Sequence, residues 1–396
     1  MGANASAPSK CCRPCIAQQG AATPREPRQE THGAWVRLQT DGKGPSPRSG
    51  HDVVVIDDKA YLFGGCGGEH EAINCLDDMY VFDMRLHRWD RVVGKGVVTP
   101  TARASFGMCA GTAPGTIIVA GGTGVEMDSL RGDVLEFDTR TRSWSKVLMD
   151  KEKTPCQFYG QSACRYGEVL LLFGGSTGLH YSNDLYEYNV RSGKWRKLAT
   201  TGRKPSPRYK HQAVVVGDCM YVIGGGCFKP EQSTIDLYCL DLKTLVWAET
   251  TEMHGDIPKA RVAHSCSYDP VGGDIYLWGG FTSELSRLQD FYAFNVASGT
   301  WRHIETDDRT CPPARAFHCA VFHEGSLYLF SGANGDVRYS DVWRYQVRTE
   351  VPSLAVLAAR LLRDGAINPR KDTVLRLPQE VLFGVQHMNE YATRLC

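Results

Sequence analysis

A Gly-Gly pair recurs about every fifty residues along this chain, beginning at Gly64, Gly121, Gly174, Gly224 and Gly279 and reappearing as Ser331-Gly332. A tryptophan keeps step at Trp35, Trp89, Trp144, Trp195, Trp247 and Trp301, with intervals of 54, 55, 51, 52 and 54 residues. A fixed period of this length marks stacked supersecondary units, none of which can bury its apolar face alone. The chain's 396 residues therefore need not divide into two or three separately folded domains, because an array of repeats can form one body.

One unit reads from Pro205-Ser-Pro-Arg-Tyr-Lys-His211 through Gln212-Ala-Val-Val-Val216, Met220-Tyr-Val-Ile-Gly-Gly225 and Asp236-Leu-Tyr-Cys-Leu-Asp241 to Trp247. Short runs rich in Val, Ile, Tyr and Trp, separated by Gly, Pro and Asp, predict four β-strands per unit. No part of the array sustains a 3.6-residue apolar period. With its glycine pair and later Tyr and Trp, the unit resembles the kelch repeat, the four-stranded blade of a β-propeller. The resemblance runs from roughly residue 33 to 348, about four fifths of the chain. It implies an all-β, six-bladed kelch β-propeller. The sixth unit stops after Asp341-Val-Trp-Arg-Tyr345 with no fourth strand, while Trp35-Val-Arg-Leu38 precedes the first unit without a blade of its own. The N-terminal strand is therefore expected to complete the sixth blade and leave no free sheet edge. The glycine pairs predict positive φ where a Cβ would clash. Residues such as Tyr61 and Trp89 predict filling between blades, and an Asp or Asn ending each third strand predicts a turn made by its own side chain, with Gln346 the departure.

Composition removes several functions. Lys plus Arg is 45 against 44 for Asp plus Glu, so there is no overall basic field for nucleic acid. No apolar run reaches membrane-spanning length, and no secretory signal opens the chain, so a cytoplasmic location is expected. Cysteines such as Cys109, Cys164, Cys219, Cys266 and Cys319 lie singly in predicted strands and read as small buried hydrophobes.

Before most first strands lies a Pro-x-Arg-x-x-His-like segment: Arg48 with His51, Arg208 with His211, Arg261 with His264, and Arg315 with His318. Arg103 is followed by Phe106, and the third copy is matched through Gln157 and Gly160. Two readings are open. The arginines make a repeated structural hydrogen bond, or they form a ring of five at one mouth that pairs with a carboxylate or acidic peptide. Two residues beyond the arginine the residue varies: Gly50, Ser105, Tyr159, Lys210, Ala263 and Phe317. In peptide-binding kelch propellers the matching position faces the pocket. The resemblance therefore implies a partner site of Arg48, Ser105, Tyr159, Arg208, Lys210, Arg261, Arg315 and Phe317, unless these side chains only plug the channel. Glu69, His70 and Glu71, between Cys66 and Cys75, are adjacent in one loop and read as solvated rather than as a metal site. The iron-binding Glu-Asp-His spacing of nitrile-forming kelch enzymes and the Tyr-Cys centre of seven-bladed copper oxidases have no counterpart. Nor is there a phosphate loop or nucleophile elbow. The expectation is a binding module that is no enzyme, with no metal or cofactor.

The tails carry separate signals. Met1-Gly-Ala-Asn-Ala-Ser6 matches an N-myristoylation site at Gly2, and Cys11, Cys12 and Cys15 beside Lys10 and Arg13 are candidates for S-palmitoylation. One acyl chain holds a membrane only marginally, so a second is needed for stable anchoring. Cys12-x-x-Cys15 could also be half a zinc site, but no second pair follows. Residues 1–32 are thus expected to be a lipidated tether, followed by the propeller at 33–348. In 349–396, Ser353 to Leu362 places apolar residues at steps of three and four, an amphipathic α-helix. With Leu375-Arg-Leu-Pro378 it resembles, weakly, a SOCS box, in which Leu354, Leu357 and Leu362 would contact elongins B and C and so recruit a cullin; Ala358 stands where the motif has Cys. The start of an F-box at Leu377-Pro-Gln-Glu380 is too near the chain's end for that fold. The other role is a helix that caps the propeller. The functional expectation is a membrane-tethered adaptor or scaffold that binds a protein or peptide at one channel mouth, with a substrate receptor of an elongin-cullin ubiquitin ligase as the alternative.

Overall fold

The computed structural model describes residues 33–67, 74–124, 132–147, 158–189, 192–227, 232–249, 253–307 and 309–348. The lipidation candidates Gly2, Cys11, Cys12 and Cys15, the residues Glu69, His70 and Glu71, and the segment predicted to be helical with Leu354, Leu357 and Leu362 lie outside these residues.

Each repeat folds as the β-branched and aromatic runs predict. In the first, Asp52–Ile56, Lys59–Phe63, Met79–Asp83 and Arg88–Val92 form an antiparallel sheet in sequence order. The described residues make six sheets with this four-strand core. In the sixth the outer strand is Trp35–Arg37, which pairs antiparallel with Arg338–Gln346 in the register Trp35↔Tyr345, Val36↔Arg344 and Arg37↔Trp343. The unit that lacks a fourth strand in sequence thus borrows it from the N-terminal end, as expected. The first strands of successive sheets lie side by side, and the sixth, Cys319–His323, returns to the first, Asp52–Ile56.

The core lies between sheets. Six clusters of buried apolar side chains each draw on two neighbouring sheets, including one shared by the sixth and the first. Every repeated tryptophan is buried. Trp144 packs 5.2 Å from Phe63, Trp247 5.2 Å from Phe173, Trp89 6.0 Å from Phe330 and Trp35 6.2 Å from Trp278. In each case the partner belongs to the preceding sheet. Such rings bury on the order of 200 Å², about 5 kcal/mol of apolar burial apiece, so the tryptophan period is the period of sheet-to-sheet packing.

The glycine pair is fixed by close approach. Gly279 has φ +61°, and a Cβ there would sit 2.8 Å from the carbonyl oxygen of Arg315 in the next sheet. The following Gly280 N–H donates to that same oxygen at 3.0 Å. The residue closing the third strand turns the chain as predicted: Asp83 Oδ1 accepts from the N–H groups of Arg85 and Leu86, and Asp241 Oδ1 from those of Lys243 and Thr244.

Candidate functional site

One residue from each sheet forms a closed ring of main-chain hydrogen bonds at one end of the axial channel. Ser105 N–H donates to Gly50 O at 2.7 Å, Gly160 to Ser105 at 2.6 Å, and Lys210 to Gly160 at 2.7 Å. Ala263 donates to Lys210 at 3.0 Å, Phe317 to Ala263 at 3.0 Å, and Gly50 to Phe317 at 2.9 Å. All six have positive φ, between 53° and 69°. Four of them carry side chains in a region that favours glycine, a strained conformation held by the closed ring. The sequence-predicted mouth residues Ser105, Lys210 and Phe317 are therefore brought together.

Two predictions are corrected here. In the third sheet the ring residue is Gly160, and Tyr159 lies one place outside, bridged to Ser176. Phe158 takes the arginine's place, its carbonyl accepting from Gly122 N–H at 2.9 Å as Arg103's accepts from Gly65. Register follows from the residue that must adopt positive φ, and the sequence comparison through Gln157, itself outside the described residues, was one residue short. The second correction removes Arg48, Arg208, Arg261 and Arg315, with Arg103, from the mouth. All five are fully buried or nearly so, and each guanidinium grips a carboxylate just before its sheet's third strand or, in the sixth sheet, within it: Asp78, Asp236, Asp290, Asp341 and Asp133. Arg208 is representative: Nη1 donates to Asp236 Oδ1 at 2.9 Å and to Gly224 O at 2.8 Å, Nη2 to Asp236 Oδ2 at 2.8 Å, and Nε to Ser206 O at 3.0 Å. These arginines tie each glycine turn to its own sheet; the repeated structural hydrogen bond is the reading the geometry supports. Where Phe158 replaces the arginine, Asp184 turns instead to Lys197 at 2.7 Å and Lys204 at 3.8 Å.

The histidines are structural too. His51, His211, His264 and His318 are buried beneath the ring, and burial, then the neighbouring arginine, pushes the first three down to about 3. They are neutral and packed: His211 Nε2 lies 2.9 Å from Ser162 Oγ, and His318 Nε2 2.8 Å from Ser265 Oγ. The channel they line holds a cavity of about 210 Å³. Asp52 also faces it, accepting from Val53 N–H at 2.8 Å and Met108 N–H at 3.1 Å, with burial raising its carboxyl to about 7.

At the ring itself, Lys210 Nζ donates to Ser105 Oγ and lies 5.0 Å from the centre of the Phe317 ring. Burial lowers its ammonium to about 8. Outside the ring, each sheet bridges the residue before its ring position to the residue after its glycine pair: Ser49 to Cys66, Ala104 to Thr123, Tyr159 to Ser176, Tyr209 to Gly226, Val262 to Phe281 and Ala316 to Ala333. Several of these outer residues pair again, Cys66 with Cys75, Ser176 with Tyr181, Phe281 with Arg287 and Ala333 with Arg338. Arg287 lies 4.6 Å over the Phe281 ring and is lowered by burial, and Arg338 Nε is buried without a hydrogen-bond partner among the described residues. None of Lys210, Arg287 and Arg338 makes an ion pair with a described carboxylate. The rim is otherwise aromatic: Tyr209 stacks edge-on with Tyr159 at 5.8 Å and lies 5.2 Å from Tyr181, while Phe281 lies 5.6 Å from Phe317.

Sequence reasoning missed Arg287, Arg338 and Asp52. A signal existed for Asp52, which is the residue following the Arg-x-x-His segment. Among the described residues, Asp58, His323 and Glu324 cluster closely enough to hold a cation, but Arg85 already salt-bridges Asp58 at 2.7 Å and Glu324 at 3.8 Å.

Comparison with known proteins adds the following. The sequence model of the KLHDC2/KLHL20/DRC7 Kelch-repeats domain matches residues 30–155, 112–252 and 210–360. Kelch domain-containing protein 10 of Homo sapiens is 28% identical over 304 residues, covering 73% of this chain and 66% of that protein. Kelch domain-containing protein 3 of Mus musculus is 29% identical over 312 residues, covering 74% of this chain and 79% of that protein. Host cell factor 2 of Homo sapiens is 29% identical over 342 residues, 76% of this chain and 41% of that protein.

Proposed function

This chain belongs to the kelch-repeat family, in general a protein-interaction domain, and from that premise we propose that its propeller binds an acidic protein or peptide segment at the mouth ringed by Ser105, Lys210 and Phe317. The observation that carries this reading is the contrast between two sets of cations. The scaffold arginines are all neutralised by aspartates, whereas Lys210, Arg287 and Arg338 make no ion pair with a carboxylate among the described residues. A desolvated cation without a counter-ion is costly, and an anionic ligand group offsets that cost on binding. The aromatic rim of Tyr159, Tyr181, Tyr209 and Phe281 supplies apolar contact at low entropic cost, the composition of a binding hot spot.

Selection from a displayed random-peptide library tests this. Retained sequences should be enriched in Asp and Glu. Lys210→Glu combined with Phe317→Ala should weaken their binding at least tenfold, about 1.4 kcal/mol, while thermal unfolding stays put. Selected peptides without acidic enrichment, or wild-type affinity in the double variant, would sink the assignment.

The finer role rests on the tails. An adaptor tethered to a membrane through Gly2 and the Cys11, Cys12 and Cys15 cluster should shift to the soluble fraction on Gly2→Ala. A ligase receptor should co-purify elongins and lose them on Leu354→Asp; the absence of both elongin and cullin rejects it.

A further inference from the structure

Cys66 and Cys75 face each other across a two-stranded hairpin, Cys66–Gly67 with Asn74–Cys75, on the rim of the mouth. In the adjacent pair Leu76 N–H donates to Gly65 O at 2.8 Å. Because antiparallel ladders alternate, Cys66 and Cys75 occupy the non-hydrogen-bonded register, where opposed Cα atoms are about 4.5 Å apart and side chains are nearest. A disulfide tolerates that separation. The two Sγ atoms are 3.2 Å apart, neither cysteine is in a disulfide, and Cys66 is half-buried while Cys75 is buried. The pair is not part of the repeated scaffold, since Thr123, Ser176, Gly226, Phe281 and Ala333 occupy the place of Cys66 in the other sheets.

We propose that Cys66 and Cys75 are a modification site: a thiol pair that a peroxide converts to a reversible disulfide at the rim of the propeller mouth. The Cys66 thiolate attacks one oxygen of hydrogen peroxide, giving a sulfenic acid and hydroxide as the O–O bond breaks. Cys75 then attacks the Cys66 sulfur, the S–O bond breaks, and its thiol proton with the departing hydroxyl makes water. Overall two thiols and one peroxide give one disulfide and two waters; a dithiol reductant reverses the step by exchange.

The surroundings favour Cys66 as the attacking sulfur. The hydrogen bond with Cys75, then the positive charges of Lys210 and Arg338, draw its thiol down to about 7. Other thiols are held back: burial pushes Cys164 up to about 12 and raises Cys109, Cys266 and Cys319 as well. Closure would also remove a negative sulfur from beside Lys210 and staple the hairpin. The thiol chemistry stands whatever the mouth binds.

The test uses the reduced full-length chain, limiting hydrogen peroxide, alkylation of remaining thiols and peptide mapping. A linked Cys66–Cys75 peptide two hydrogens lighter should appear before the exposed Cys227 is consumed, and dithiothreitol should abolish it. In Cys75→Ser the Cys66 sulfenic acid should persist and take up dimedone, with circular dichroism unchanged. The proposal is overturned if Cys227 oxidises first, if Cys66 pairs with another cysteine, or if Cys66 in Cys75→Ser takes up no dimedone.

Discussion

Arg208→Met isolates what the repeated arginines do. The wild-type side chain is 1% exposed and its partner Asp236 12% exposed. The substitution removes both bonds to the carboxylate and the donors to Gly224 O, Ser206 O and Ser206 Oγ. Breaking a buried pair costs about 3–5 kcal/mol, because one charge stays buried alone. The residual exposure of Asp236 lets water reach it, which argues for the lower end, about 3 kcal/mol. Adding Asp236→Leu should return at least half of that, since an apolar replacement of both partners leaves only the lost carbonyl bonds, about 1 kcal/mol each. The assay is urea unfolding followed by the fluorescence of buried tryptophans such as Trp247, across wild type, both single variants and the double. A midpoint for Arg208→Met equal to wild type, with selected acidic peptides no longer bound, would refute the reasoning and return the arginine to the mouth. A double variant no better than the single would refute the ion-pair account while leaving the burial intact.

His264→Gln should flatten the acid limb of stability. With a folded-state value near 3 against an ordinary 6.5, neutral His264 contributes stability that is fully present above pH 6.5 and is lost as pH falls toward 3, at about 1.4 kcal/mol per pH unit. Gln161 already fills the equivalent place in the third sheet, donating to Ala120 O at 2.9 Å, so the fold should tolerate it; an unchanged slope of unfolding midpoint against pH would contradict the burial argument. Asp52→Asn should act in the opposite sense, because a carboxyl raised to about 7 contributes stability that is present below pH 4 and lost as pH rises through 7; chemical denaturation across that range reads it. Gly279→Ala should destabilise by about 1–3 kcal/mol from positive φ and the 2.8 Å approach to Arg315 O, and calorimetry of the variant checks it. Trp35→Ala should cost about 3–5 kcal/mol and expose the Arg338–Gln346 edge to limited proteolysis.

The scaffold was legible because every sheet repeats the same physical demand. A glycine must pass under the next sheet's carbonyl, a tryptophan must cover the preceding sheet, and the final unit must find a fourth strand, so each requirement appears in sequence at the same interval. The same regularity misled at the arginines. A repeated cation looks like a ligand ring until its aspartate is found, and Asp78, Asp133, Asp236, Asp290 and Asp341 stand 26 to 30 residues downstream, where only the folded loop joins them. The third repeat misled further, because Phe158 has no charge by which to align it, and the ring position became visible only through the positive φ of Gly160.

What the period cannot carry is the set of residues that break it. Arg287 and Arg338 follow connections after the glycine pair whose lengths differ, so no interval aligns them; the Cys66–Cys75 contact depends on one hairpin's register. The propeller's chemistry therefore sits where a charge or thiol occurs without the partner its repeat supplies elsewhere. Lys210 unites both features: it occupies a scaffold position required by the main-chain ring, yet its ammonium donates to Ser105 and lies against an aromatic face with no ion pair to a described carboxylate. A residue held in place by the repeat but left uncompensated by it is where selection for a ligand can act without loosening the ring.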